Sequence, residues 1–210
     1  MGIPALTAYH AVIVDGGVDG KTVLVAGGAG AVGYYAVQLA KIKGAKQVIA
    51  TVSNEEKAAL AREAGADVVL NYKTDDIVSA IDQVTAGRGV DRIVEVDFAA
   101  NVNADFAANV NADIAALHPN GEIIIYGSGA AEISVPFSPA IRKGARMAFF
   151  IVYSLEADVR ERAIADLTRM LREDRLIHNI AARLPLEKIA EAHELVERGG
   201  ASGNVILQVE

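Results

Sequence analysis

The sequence contains no cysteine and no tryptophan, and only 5% of its 210 residues are aromatic. Without thiols, the chain cannot form disulfide bonds, use a thiolate in catalysis or bind zinc through cysteine. A core with few aromatic side chains is filled mainly by Val, Ile, Leu and Ala, which is typical of a parallel sheet covered by helices.

Positive charge is also scarce, since 20 Lys and Arg face 27 Asp and Glu, a net charge of −7. This balance argues against nucleic-acid binding, which needs a basic surface. No apolar run approaches the roughly 20 residues that span a bilayer. The stretch 1–14 is apolar but has neither a basic n-region nor a cleavage site, so we expect no signal peptide. These features predict a cytoplasmic protein that binds neither nucleic acid nor membranes.

Short apolar runs alternate with helical patterns from Lys21 onward. Such alternation predicts right-handed βαβ units and a Rossmann-type α/β fold, a doubly wound parallel sheet of about six strands. The predicted strands are 21–26, 47–52, 67–70, 90–96, 121–126 and 147–153. The predicted helices are 32–43, 54–64 (with Asn54 as its N-cap), 75–84 and 157–172.

The carboxyl-terminal stretch adds elements that a six-stranded sheet does not need. Residues 185–198 predict a helix with Pro185 in its first turn, and residues 204–209 predict a strand. We therefore expect three parts: a lead-in segment 1–20, a sheet domain 21–176 and a helix-strand appendage 177–210.

An exact repeat follows the fourth predicted strand, where the eight residues 97–104 (DFAANVNA) recur at 105–112. On a helix the second copy would lie ~80° around the axis from the first, so the two copies cannot bury the same face. We interpret the repeat as a peculiarity of the sequence rather than a functional unit. It lies where a ligand of the sheet would bind.

A glycine-rich turn joins the first predicted strand to its helix. Gly28, Gly30 and Gly33 form the pattern G-x-G-x-x-G. In this context we expect Gly28 to make the tight turn, Gly30 to admit a pyrophosphate and Gly33 to let the helix pack on the strand. Free N–H groups at the helix start would meet the phosphate charge. The sequence therefore predicts a dinucleotide site, the alternative being a strand–helix turn that binds nothing.

The choice of cofactor is made about 20 residues further on, at the end of the second strand. An acid there would bind the ribose 2′-OH of NAD, but the strand ends in Thr-Val-Ser-Asn at 51–54. Ser53 and Lys57 suit a 2′-phosphate and favour NADP(H), although Glu55 and Glu56 argue mildly against it. The alternative is that Lys57 is an ordinary surface lysine.

No catalytic or metal-binding set is visible. The histidines lie far apart in different predicted elements, and no serine has a nucleophile-elbow context. We therefore predict no metal and leave the catalytic residues unassigned. Hydride transfer is compatible with this pattern, because the nicotinamide carries that chemistry.

With these residues placed, the chain resembles the zinc-independent quinone oxidoreductases of the medium-chain dehydrogenase/reductase superfamily. The resemblance extends over nearly all of the chain, and it is specific because its motifs match in order and spacing. These motifs are GIPALTAY at 2–9, VAGGAGAVG at 25–33, QLAK at 38–41, TVSNEEK at 51–57, GAD at 65–67, NY at 71–72, YGS at 126–128 and AHE at 192–194.

The resemblance implies roles for matched positions and a dimer. Gly30, Ala31 and Val32 would cradle the pyrophosphate, and Ser53, Lys57 and Tyr72 would hold the 2′-phosphate and adenosine ribose. Thr7, Tyr126, Gly127 and Ser128 would lie near the nicotinamide. The resemblance also implies a homodimer formed by pairing of the strand that runs from Met147 to Tyr153.

Family members begin with a GroES-like substrate domain, whereas this chain starts after the region that matches it. The resemblance places the carboxyl-terminal helix and strand against that domain, and the substrate cleft between the two domains. We expect the NADP(H)-binding portion of an oxidoreductase that reduces a quinone or a related enone or aldehyde. The alternatives are a non-enzymatic dinucleotide-binding or assembly module, or an engineered fragment without turnover.

Overall fold

The structure is a computed structural model that describes residues 2–97, 109–127, 130–198 and 202–209. Most of the repeat at 97–112, and Ser128, lie outside the described residues. Six parallel strands form the main sheet in the order β3-β2-β1-β4-β5-β6. They are β1 (Thr22–Val25), β2 (Gln47–Val52), β3 (Val68–Asn71), β4 (Val90–Glu95), β5 (Leu117–Ile125) and β6 (Arg146–Phe149). The predicted Rossmann-type sheet is confirmed.

The described helices cover both faces of this sheet, apart from the last one, which packs on the carboxyl-terminal strands. They are α1 (Gly2–Ile13), α2 (Gly33–Ile42), α3 (Glu55–Glu63), α4 (Ile77–Val84), α5 (Asn109–Ala116), α6 (Phe137–Lys143), α7 (Ala157–Arg172) and α8 (Ile189–Glu197). None of the helices in the described part of the chain combines the length and hydropathy needed to cross a bilayer.

Two apolar cores lie on the two faces because successive side chains of a strand point in opposite directions. Val23 and Val25 of β1 face the core that α1, α2 and α7 cover. Leu24 between them faces the other core, which α4 and α5 cover with Ile81 and Ile114. Burial on both faces explains why the central strands read as continuous apolar runs.

Helix α1 occupies the segment that the sequence indicated only as a lead-in. Its residues Ala5, Ala8, Ala11 and Val12 are fully buried. Because the helix is apolar nearly all round, its sequence shows no amphipathic stripe from which a helix could be predicted.

A buried arginine fixes the end of α1. Arg92 of β4 is fully buried and donates hydrogen bonds to the carbonyl oxygens of Ala11, Val12 and Val14. Its charge is paired with Glu122, at 2.7 Å between Nη2 and Oε1. The carbonyl groups that a helix end leaves without partners are thus satisfied by a side chain of the sheet.

A second, two-stranded parallel sheet follows, made of β7 (Ile180–Pro185) and β8 (Asn204–Gln208). With α8 between them, these strands form one further βαβ unit. The predicted helix over 185–198 corresponds to a 3-10 turn over Leu186–Lys188 that leads into α8, and Pro185 precedes this turn while also ending β7, where it pairs with Gln208. The prediction of a sixth strand over 147–153 is too long, since β6 ends at Phe149 and residues Val152–Ser154 form a 3-10 turn.

Candidate functional site

The reversal of strand order between β1 and β4 marks where a ligand of this fold binds, at the carboxyl ends of the strands. The glycine-rich turn follows β1 at this edge, and the end of β2 holds it. The amide of Gly28 donates to the carbonyl oxygen of Thr51 at 2.9 Å, and the amide of Gly27 donates to its hydroxyl at 3.2 Å. Thr51 is therefore a support of the turn that sequence reasoning did not assign.

One glycine of the turn, Gly28, has a task different from the one expected. The left-handed residue is Gly27, with φ +66°, whereas Gly28 has no positive φ. A Cβ at Gly28 would lie 2.6 Å from the Cβ of Ala50, so this glycine lets the turn pack against β2. A Cβ at Gly33 would overlap the carbonyl oxygen of Gly27, so α2 can begin here only with glycine.

Helix α2 begins at Gly33 and points its amino terminus at this edge. Within the described residues, no side chain caps that terminus. The helix dipole favours an anion at this terminus, where the amide of Tyr34 already donates to the carbonyl oxygen of Gly30 at 2.9 Å.

A cleft of about 250 Å³ lies beside the turn. Five residues that the sequence singled out meet there, namely Gly30, Ala31, Ser53, Lys57 and Tyr72. The sequence did not assign six others that line it: Gly27, Ala29, Thr51, Val52, Ser202 and Gly203.

The cation in this cleft is Lys57. Asn54 caps α3, as predicted, by accepting the amide hydrogen of Lys57 at 2.9 Å, and so fixes the first turn of the helix. The carboxylate of Glu55 is engaged with Arg62 at 2.6 Å, and Glu56 is exposed. Within the described part of the chain, no carboxylate lies within ion-pairing distance of the half-buried Lys57 ammonium.

The remaining predicted residues do not line this cleft. Thr7 is buried on α1, and Val32 is the N-cap residue of α2. Tyr126 and Gly127 follow β5 at the same edge of the sheet, where a Cβ on Gly127 would overlap the carbonyl oxygen of Val96. Their predicted roles, and that of Ser128, stay predictions.

A pair of carboxyl groups is buried near this edge, and sequence reasoning missed it. Glu95 ends β4 and Asp113 lies on α5, with exposed fractions of 1% and 5%. Burial raises the pKa of Glu95 to about 7. Burial, together with the neighbouring Glu95 carboxyl, raises the pKa of Asp113 well above its usual range. The available signal was an acid at the end of an otherwise apolar strand.

The histidines are scattered, as the sequence indicated. His10 packs edge-on against Phe150, and Nδ1 of His178 lies 2.9 Å from the hydroxyl of Tyr35. Among the described residues, no three His, Asp or Glu side chains come together as metal ligands.

Comparison with known proteins gives the family. The model of the zinc-binding dehydrogenase family matches residues 31–169. The chain is 34% identical to a quinone oxidoreductase of Pongo abelii, over 99% of this chain and 60% of that protein. The chain thus spans about 60% of the length of this curated relative.

Two solved structures share the fold. A structure of an NAD-dependent alcohol dehydrogenase superposes with a TM-score of 0.85 and 29% identity, over all of this chain and 57% of that one. A mycobacterial protein in complex with NADPH gives 0.83 and 26%, over all of this chain and 63% of that one. The chain belongs to the zinc-binding dehydrogenase family, in the zinc-independent quinone oxidoreductase branch of the medium-chain dehydrogenase/reductase superfamily.

Proposed function

We propose that this chain binds NADP(H) and forms the cofactor-binding part of an oxidoreductase that reduces a quinone, or a related enone or aldehyde. The observation that carries the proposal is Lys57, a half-buried cation beside the glycine-rich turn. Its ammonium group has no carboxylate partner within the described residues and is thus available to a phosphate.

The turn itself fits a pyrophosphate. Glycine at 28 and 33 lets β1, β2 and α2 come together without side chains between them. The uncapped start of α2 then lies at the carboxyl edge of the sheet, where backbone amides bind phosphate oxygens.

The similar structures do not choose between the two cofactors, because one is NAD-dependent and another holds NADPH. The choice of NADP(H) rests on the cleft. No acid stands at the end of β2 to bind a ribose 2′-OH, and Ser53 and Tyr72, which carry hydroxyl groups, line the same cleft as Lys57. Hydroxyl and ammonium groups bind a phosphate monoester. NADH lacks the 2′-phosphate, so it offers these groups no phosphate monoester.

Substitution of Lys57→Glu tests the cofactor assignment. We expect the affinity for NADPH to fall by about tenfold to a hundredfold, because a charged hydrogen bond contributes ~1.5–3 kcal/mol. The affinity for NADH should change little. Fluorescence titration of both cofactors measures this. Lys46→Glu is the matched control, since this exposed lysine precedes β2 at the opposite edge of the sheet. Equal affinities of the unmodified chain for NADPH and NADH would contradict the proposal.

The nicotinamide end of the site is proposed at Thr7, Tyr126, Gly127 and Ser128, as the family resemblance implies. A bound nicotinamide supplies the hydride, and the protein binds and orients it. Steady-state oxidation of NADPH with a quinone as acceptor tests for turnover. Binding of NADPH without a rate above background would favour the non-enzymatic dinucleotide-binding module instead.

We further propose a homodimer formed through β6, and a division of the chain into 1–20, 21–176 and 177–210. The exposed edge of the sheet supports the dimer, because β6 ends the strand order and pairs with β5 on one side. The cytoplasmic location stays a prediction from the sequence.

A further inference from the structure

The cleft has a wall that comes from a distant part of the chain. Ser202 and Gly203 precede β8, yet they line the same cleft as Ser53, Lys57 and Tyr72. The carboxyl-terminal βαβ unit therefore reaches the site that the Rossmann-type sheet forms. This wall is a third part of the site, in addition to the glycine-rich turn and the end of β2.

Asn179 holds this wall in place. Its side-chain amide donates to the carbonyl oxygen of Ser202 at 2.9 Å, and its own carbonyl oxygen accepts the amide hydrogen of Asn204 at 2.9 Å. Gly203 has φ +137°, and a Cβ there would lie 2.7 Å from Oδ1 of Asn179. Glycine at 203 thus permits both the backbone conformation and the close approach of Asn179.

The residues before Asn179 are tied to α2, the helix that follows the glycine-rich turn. Gln38 of α2 donates to the carbonyl oxygen of Ile177 at 3.2 Å and accepts its amide hydrogen at 2.8 Å. His178 lies within hydrogen-bonding distance of Tyr35 on the same helix, at 2.9 Å. A continuous set of polar contacts therefore runs from α2 through Asn179 to the wall of the cleft.

We propose that Ser202 is a direct ligand of the phosphorylated adenosine ribose, that Asn179 is the residue that positions it, and that cofactor binding thereby stabilises the β7–α8–β8 unit. The inference rests on the proposed binding of NADP(H). The Ser202 hydroxyl can donate a hydrogen bond to a phosphate oxygen. It lines the same cleft as Lys57, whose ammonium group carries a positive charge.

The test uses 2′,5′-ADP, which carries the phosphorylated ribose without nicotinamide, and 5′-ADP, which lacks the 2′-phosphate. In Ser202→Asp, we expect the affinity for 2′,5′-ADP to fall about tenfold or more, because a carboxylate would face the phosphate. The affinity for 5′-ADP should change much less. Ser138→Asp adds the same charge at an exposed position on α6, outside the cleft, and should leave both affinities unchanged.

Asn179→Ala tests the positioning role through the ratio of the affinities for 2′,5′-ADP and 5′-ADP. We expect it to weaken 2′,5′-ADP binding about as much as Ser202→Ala does, and the double variant to be no weaker than either, because both act on one contact. Amide exchange in β7 and β8 should slow when 2′,5′-ADP binds the unmodified chain, and should not slow in Ser202→Ala. This readout does not depend on how stable the free variant is.

The outcomes separate the two proposals. If the unmodified chain binds 2′,5′-ADP and Ser202→Asp binds it equally well, the inference about Ser202 is wrong while the NADP(H) proposal stands. If the unmodified chain shows no preference for 2′,5′-ADP over 5′-ADP, the NADP(H) proposal fails and the inference fails with it.

Discussion

At the residue scale, the buried carboxyl pair has the strongest consequence for pH dependence. Glu95 accepts a hydrogen bond from the amide of Asp97 at 2.7 Å, and its carboxyl neighbours that of Asp113. Two such carboxyl groups cannot both ionise at low cost, so the pair retains a proton that the unfolded chain would release.

This arrangement predicts that the fold loses stability as pH rises. The pKa of Glu95 is raised from 4.5 to about 7, so its contribution is fully present below pH 4.5 and is lost as pH rises through 7. The full loss amounts to roughly 3 kcal/mol. Asp113→Asn should reduce this loss, because its amide can donate permanently to Glu95. Thermal unfolding of both chains between pH 5 and 8 measures the difference.

Two other groups need to be separated from this effect. The pKa of Asp166 is lowered to about 2, so its stabilisation is constant over this pH range. Burial lowers the pKa of His10, which makes the fold more stable as pH rises and so opposes the carboxyl pair. Because both chains contain His10, the difference between their two profiles of stability against pH removes the contribution of His10. Asp82→Asn, at an exposed position on α4, is the control. Parallel profiles for Asp113→Asn and the unmodified chain would refute the shared proton.

Individual site residues were predictable where a local pattern specified them. Ser53 and Lys57 follow β2 at a fixed distance from the glycine-rich turn, so a single βαβ unit places them together. Ser202 and Asp113 were not predictable in this way. Each meets its partner only through tertiary packing, across about 150 residues for Ser202 and Ser53, a distance that no sequence period records.

At the element scale, the turn between β1 and α2 is the most constrained joint of the fold. Gly33→Ala would drive a Cβ into the carbonyl oxygen of Gly27, so either the turn or the helix must shift. We expect a stability loss of about 1–3 kcal/mol, as in other overpacked sites. We also expect the affinity for NADPH to fall by about tenfold or more, because the amides that face the phosphates move.

Gly87→Ala is the matched control for this variant. Gly87 has φ +77° and open space around its Cα, so alanine there costs stability without a collision near the cleft. Denaturant unfolding and NADPH titration are measured for both variants. If Gly33→Ala bound NADPH as tightly as Gly87→Ala does, the close packing at Gly33 would have no part in cofactor binding.

Elements were predicted best where apolar periodicity and burial agree. Strand β2 and helix α7 match their predicted bounds, because one is buried on both faces and the other is amphipathic. Strand β7 was missed because its residues alternate between half-buried and exposed, and it pairs only with β8. Pro185 indicated the helix start correctly, and it also ends the edge strand β7, where no ladder hydrogen bond is needed.

At the scale of the whole molecule, the strand order follows from chain connectivity. Right-handed βαβ connections lead outward from β1 in both directions, and this places the turn, the end of β2 and the end of β4 at one edge. The sequence therefore predicted that these elements meet at one edge of the sheet. The docking of the β7–α8–β8 unit depends on Asn179, Gln38 and His178, whose contacts no periodicity indicates.

The same topology leaves β6 as an edge strand with apolar side chains beside it. Ile151 and Tyr153 are 56% and 68% exposed, and exposed edges of this kind pair with other chains. We expect sedimentation or light scattering at micromolar concentration to give twice the 22.0 kDa mass of one chain. Ile151→Lys should shift the chain toward the monomer, because a lysine at the edge opposes pairing. Ile164→Lys, at a position 51% exposed on α7, should remain dimeric. A monomeric mass for the unmodified chain would rule out pairing through β6, because a dimer that buries Ile151 and Tyr153 would be formed at that concentration.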